Sequence, residues 1–187
     1  MSSTLILIRH GRPALSRNVL LSARGYAAWW RRYDESGLRA GQRVPDVVAR
    51  LTAGADVVAA SPLPRAQESA RLAAGRAADV TLPDMVEAPL PPPNLGRLKF
   101  RPLTWGTVSR VMWLGGRAAG GESAREARAR AVRAAEQLEA LAPGGRVAMF
   151  AHGWFNRMVG TALRRRGWRC VEGRGDGYWS YRRFVRD

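Results

Sequence analysis

Leu5-Ile6-Leu7-Ile8-Arg9-His10-Gly11 is the stretch on which the fold turns. Four consecutive apolar residues, two of them β-branched, read as a strand covered on both faces. The run stops abruptly in a polar tripeptide ending in glycine. Working outward, the same grammar recurs twice. Asp56-Val57-Val58-Ala59-Ala60 leads into Ser61-Pro62-Leu63-Pro64-Arg65, and the run from Arg146 to Ala151 leads into His152-Gly153. Helical patterns lie between these runs. One spans Ser22 to Ser36, with Ser22 as N-cap and Gly37 as stop. Others span Val44 to Leu51, ending at Gly54, and Pro64 to Ala74, opened by its proline. The last two span Ser123 to Leu141, before Pro143-Gly144-Gly145, and Trp154 to Arg166. Val80-Thr81-Leu82 reads as an edge-like strand and Gly177 to Val185 as a closing one. This alternation predicts an α/β fold of three layers, a mainly parallel central sheet with helices on both faces.

The stretch from about 88 to 121 breaks the pattern. It holds Pro89, the triplet Pro91-Pro92-Pro93, and an apolar segment read as a short helix over Leu103 to Leu114. Prolines sit badly inside a sheet, so this piece is expected as a small insertion over the carboxyl end of the strands. Its Trp105, Trp113, Arg97, Lys99 and Arg101 either line a specificity pocket or, for the apolar ones, cover the core or a homodimer contact. The 187 residues, 46% apolar, suit one domain over 1–187.

No apolar run approaches the roughly 20 residues of a membrane span, and Arg9 follows the first run without a cleavage signal, so a cytoplasmic protein without membrane association is expected. The lone Cys170 forms no internal disulfide and reads as a small buried hydrophobe. A net charge of +16 invites a polyanion partner. Only Lys99 of the 31 basic residues is a lysine, however, and no zinc-finger spacing or aromatic RNA-binding signature accompanies the charge. The expected partner is a small anionic substrate rather than a specific nucleic acid.

Ligands of open α/β sheets bind at the carboxyl ends of the strands. Both histidines of the chain, His10 and His152, fall at such ends, and each is followed by glycine, which permits close approach. Arg9 and Arg65 belong to the same strand-end segments. Two imidazoles and two guanidiniums facing one point make a site for a dianionic phosphoryl group. With these residues in this order, the chain resembles the histidine phosphatase superfamily, the phosphoglycerate mutase-like proteins. Leu5 to Gly11 is similar to the family's first motif, Ser61 to Ala70 to its second, and Val147 to Gly153 to its late histidine-glycine pair. Leu21 to Gly25 and Gly120 to Ser123 are similar to secondary landmarks.

The resemblance implies a metal-independent phosphomonoesterase, without cofactor, working through a phosphohistidine. His10 would be the nucleophile, Arg9 and Arg65 phosphate clamps, His152 a donor to the transferring oxygens, and Glu87 the proton donor. Arg12-Pro13 stands where many members carry Glu-Thr, and Asn18 is displaced from the family's phosphate-touching asparagine. Arg12 is read equally as an anion contact or as solvent-exposed, and Trp154 as a pocket wall or as core. Three activities remain distinct: a phosphatase, a phosphoglycerate mutase-type phosphotransferase, and an inactive phosphate- or partner-binding module. The complete set of catalytic residue types and the modest length favour the phosphatase.

Overall fold

A computed structural model describes residues 2–88, 90, 92–116 and 121–187. Strands β1 (Ser3–Arg9), β2 (Val57–Ala60), β3 (Val80–Thr81), β4 (Arg146–Ala151), β5 (Arg169–Arg174) and β6 (Tyr181–Arg186) form one sheet in the order β3-β2-β4-β1-β6-β5. The first four are parallel, while β6 runs antiparallel to β1 and to β5. β4 lies between β1 and β2, with Arg9 opposite Ala151 and Ala60 opposite Phe150. The segments after these three strands therefore leave the sheet side by side, and they carry His10, Ser61 and His152.

Strand alternation explains the layers. Leu5, Leu7, Val147 and Met149 point to one face and pack against α5 (Ala124–Ala140) and α6 (Gly153–Arg165). Ile6, Ile8, Val58, Ala148 and Phe150 point to the other, against α2 (Asp46–Ala53) and α3 (Pro64–Ala74). Each buried Leu or Ile contributes about 1.5–3 kcal/mol. The alanine stripe of α5, Ala127, Ala131, Ala134 and Ala135, lets that helix lie close. Ser123 and Glu126 close its N-terminus with a capping box, a device worth about 1 kcal/mol.

The third cluster lies apart from the sheet. Helix α1 (Ala23–Glu35) contributes Tyr26, Trp29 and Tyr33, and α4 (Pro102–Leu114) contributes Trp105. Their rings stack at centroid separations of 4.8–5.9 Å. The predicted helix in the insertion thus forms, and the bridge between Leu21 and Phe100 ties its approach to the entry of α1. Pro89, Pro91 of the proline triplet and Gly120 of the Gly120–Ser123 landmark lie outside the described residues.

Two expectations need correction. The closing strand is half of a hairpin, whose other arm, β5, has both faces largely exposed and so carries no apolar pattern. Cys170 lies on that arm and is exposed rather than buried.

Candidate active site

The turn after β1 places His10, only 2% exposed, at the end of the strand. Its Nδ1–H donates to the Gly11 carbonyl at 2.7 Å. That bond sets the tautomer and leaves Nε2 with its lone pair. The Gly11 amide donates to Ser69 Oγ at 2.9 Å, and Ser69 donates to the Arg65 carbonyl at 2.6 Å, which locks the turn onto α3. A Cβ on Gly11 would fall 2.6 Å from the Trp179 ring, so only glycine fits. Trp179 is the one non-glycine residue with positive φ among the described residues. Its strained backbone directs the loop before β6 so that Tyr178 lies 5.8 Å from the His10 ring.

Arg65 projects from the first turn of α3 and is 1% exposed. It donates to the Tyr33 carbonyl at 2.8 Å and to Asp34 Oδ1 at 3.0 Å, with the Tyr33 ring 4.6 Å beneath it. Arg9 donates to the Asp176 carbonyl at 2.5 Å and lies over Tyr178. Gly153 makes room for it: a Cβ there would meet Arg9 Nε at 3.0 Å. His152 stands with its ring centroid 5.2 Å from that of His10, its Nε2 paired with Ser61 Oγ at 2.9 Å. Among the described residues, Arg9 Nε, Arg65 Nε and His152 Nδ1 are buried without a hydrogen-bond partner. Buried donors of this kind cost free energy unless something accepts from them.

Both imidazoles are held neutral. Burial, then the charges of Arg65, Arg9 and Arg17, push His10 well below the ordinary histidine value. Burial, then His10, Arg65 and Arg9, do the same to His152. Burial also lowers Arg9, with Arg17 adding to the effect.

Glu87 joins the group from the loop after β3. Its Oε1 accepts from the amides of Phe155 at 3.0 Å and Ala88 at 3.1 Å, and its Oε2 accepts from Trp154 at 3.3 Å. A carboxylate at the amino end of α6 interacts favourably with the helix dipole. Arg110 of α4, 8% exposed, holds this loop by donating to the Ala88 carbonyl at 3.3 Å, sandwiched between Trp113 and Trp154.

Arg9, Glu87 and Gly153 border a cleft of about 570 Å³; the buried His10, Arg65 and His152 are not among its lining residues. Trp154 forms part of its wall, while Phe155 is core. Arg12 is exposed and not among the lining residues; its main chain is bound by Gln42. Asn18 is likewise exposed and away from the lining. Arg17, one residue earlier, is the side chain that reaches inward, donating to the Tyr33 hydroxyl and lying over Tyr178. Nothing in the sequence singled it out among many arginines. Tyr33 and Tyr178 were equally hidden, because their placement depends on α1 and the β5–β6 hairpin packing at the strand ends. Ser61 was legible as part of a strand-end motif, but its partnership with His152 was not. Trp105 and Trp113 are buried rather than lining the cleft, and Arg97, Lys99 and Arg101 are not among its walls. Glu122, just before α5, is engaged by Arg130 at 2.7 Å. Among the described residues no group of three or more His, Cys, Asp or Glu is arranged to hold a metal ion, and no helix is long and apolar enough to cross a membrane.

A family model described as "Histidine phosphatase superfamily (branch 1)" matches residues 5–170. The fold is similar to that of a mycobacterial glucosyl-3-phosphoglycerate phosphatase, with 18% identity, 99% of this chain and 91% of the other covered, and a TM-score of 0.63. It is also similar to a mutant phosphoserine phosphatase from Entamoeba histolytica in complex with phosphoserine, with 16% identity, coverage of 96% and 89%, and a TM-score of 0.62. A putative alpha-ribazole-5'-P phosphatase from Escherichia coli shares 20% identity over 87% of this chain and 78% of its own, with a TM-score of 0.55. No curated protein sequence matches the chain significantly.

Proposed function

The chain belongs to the histidine phosphatase superfamily, and from that premise we propose that it hydrolyses phosphate monoesters through a phosphohistidine on His10. The observation that carries this reading is a neutral imidazole with a free Nε2, surrounded by buried donors that lack acceptors. A phosphoryl dianion supplies the missing acceptors: its oxygens receive Arg9 and Arg65 Nε–H, and His152 Nδ1–H once Ser61 donates to His152 Nε2. Nε2 of His10 attacks phosphorus as the bond to the ester oxygen breaks, and Glu87, entering the step as the protonated acid, gives its proton to the departing alkoxide and becomes the carboxylate. Water entering the open cleft then attacks the phosphohistidine. The phosphorus–nitrogen bond breaks, Nε2 regains its electron pair, and the Glu87 carboxylate takes the water's proton. The guanidiniums carry the charge that a metal ion supplies elsewhere.

An open cleft admits this water, which favours hydrolysis over a mutase that retains its phosphoryl group. The test is phosphate release from p-nitrophenyl phosphate and a panel of phosphorylated metabolites. Turnover should survive chelators and be blocked by vanadate, which adopts the five-coordinate geometry of the transferring group. Chelator-sensitive turnover restored by a metal, or the absence of any turnover, would contradict the reading.

A further inference from the structure

The far wall of the cleft has a composition that phosphate chemistry does not require. Helix α4 is apolar on two sides. Trp105 and Trp113 point inward and are buried, which folding explains. On the cleft side Leu103 is 70% exposed and Val111 65% exposed, with Leu114 beside them. Single exposed apolar residues are ordinary, but a cluster of them marks a binding surface. The cleft is completed by Trp29 and Trp30 of α1 and by Trp154 of α6. These walls reach the edge of the phosphoryl site, because Arg9, Arg17 and Glu87 border the same space. Its volume of about 570 Å³ falls in the range of pockets that enclose ligands far larger than a three-carbon phosphate.

We propose that the substrate is a phosphate monoester of a bulky apolar alcohol, its phosphoryl group at His10 and its hydrocarbon body along the α1–α4–α6 wall. The assignment rests on the phosphohydrolase reading for the placement of the phosphoryl group. The wall also carries polar groups, among them Thr107 and Arg157. Arg110 Nη1 and the Tyr26 hydroxyl border the cleft and are buried without partners, so the preferred alcohol carries an acceptor oxygen within an otherwise apolar body.

The experiment measures binding and turnover separately on the full chain. Calorimetry with n-alkylphosphonates from two to ten carbons reads the apolar subsite without chemistry, and matched alkyl phosphates read hydrolysis. Kd should fall about two- to fourfold per methylene until the wall is covered. Two variants should flatten that slope. Val111→Asp places a charge on the exposed wall. Gly106→Leu fills the cleft from a lining position whose Cβ would make only ordinary contacts, 3.6 Å from the Tyr26 hydroxyl and 3.8 Å from Leu90. A Kd independent of chain length, with short esters still hydrolysed, would overturn the apolar alcohol and leave the phosphohydrolase intact. Rising affinity with no ester hydrolysed would uphold the apolar subsite and overturn the phosphohydrolase. A flat slope together with concentration-dependent dimerisation abolished by Val111→Asp would assign the wall to a second copy of the chain and also overturn the proposal.

Discussion

The strand-end site and the α4 wall of the adjoining cleft are built differently. At the strand ends each group is fixed by another: His10 by Gly11, Arg65 by Tyr33 and Asp34, His152 by Ser61, Glu87 by the amides of α6. On the α4 side the lining residues Leu103 and Val111 stand largely in solvent. On the proposed function, the contrast separates chemistry from selectivity. Groups that must meet a developing charge are preorganised, since reorienting them in the transition state would cost rate. A wall that meets hydrocarbon needs only shape and area.

The contrast is sharpest at Glu87, which lies on the boundary. Glu87→Gln should slow alkyl phosphate hydrolysis by about 10²- to 10⁴-fold while largely sparing p-nitrophenyl phosphate, whose leaving group needs little protonation. Gln also replaces one acceptor oxygen with an amide nitrogen beside the α6 amides, so thermal stability should drop by about 1 kcal/mol. Equal loss on both esters would give Glu87 a purely structural role.

Arg65→Lys tests whether the fixed site depends on shape as well as charge. Lysine keeps the charge and loses the fork, and kcat/KM should fall by about 10²- to 10³-fold on every ester, whatever its alcohol. A loss confined to bulky esters would erase the division between site and wall.

Gly153→Ala is a smaller perturbation of the same site. A methyl group 3.0 Å from Arg9 Nε displaces that guanidinium by a few tenths of an ångström, which should cost about three- to tenfold in kcat/KM. Alanine is the better helix former, so the melting temperature should hold or rise as activity falls. A parallel loss of both would mean that Gly153 serves α6 rather than Arg9.

The gentlest probe is pH. With His10 pushed well below the ordinary histidine value by burial and by Arg65 and Arg9, the nucleophile stays unprotonated as the solution turns mildly acidic. Activity on p-nitrophenyl phosphate should therefore pass through about pH 6.5 without a midpoint. Stability moves the other way. Below about pH 6.5 the unfolded chain takes up protons that the folded imidazoles refuse, so folding is progressively weakened as pH falls toward the depressed values. Thermal melts of the ligand-free protein should show this loss, and His10→Ala should show less of it. Acid stability identical in the two proteins would contradict a buried neutral His10.

Legibility in the sequence divides along the same line. The strand-end motifs could be read because buried parallel strands leave continuous apolar runs, and the structure brings the residues just beyond them, His10, Arg65 and His152, together. Glu87 is singled out only through family resemblance, since nothing local marks a loop glutamate. Arg17 and Tyr178 were missed because their positions arise from the packing of α1 and of the β5–β6 hairpin, an arrangement with no sequence period. The exposed β5, and with it Cys170, escaped for a related reason: an edge arm in solvent needs no alternation. In α4 the helix itself was readable, but not which of its apolar residues turn inward, because a helix apolar on both sides has no amphipathic phase.

The most direct test of the central claim is to quench the reaction with ³²P-labelled substrate and locate the label. It should be retained on the protein as an acid-labile, base-stable phosphoryl group on His10, absent from His10→Ala. A His10→Ala protein that turns over at the full rate, or label on another residue, would contradict the account.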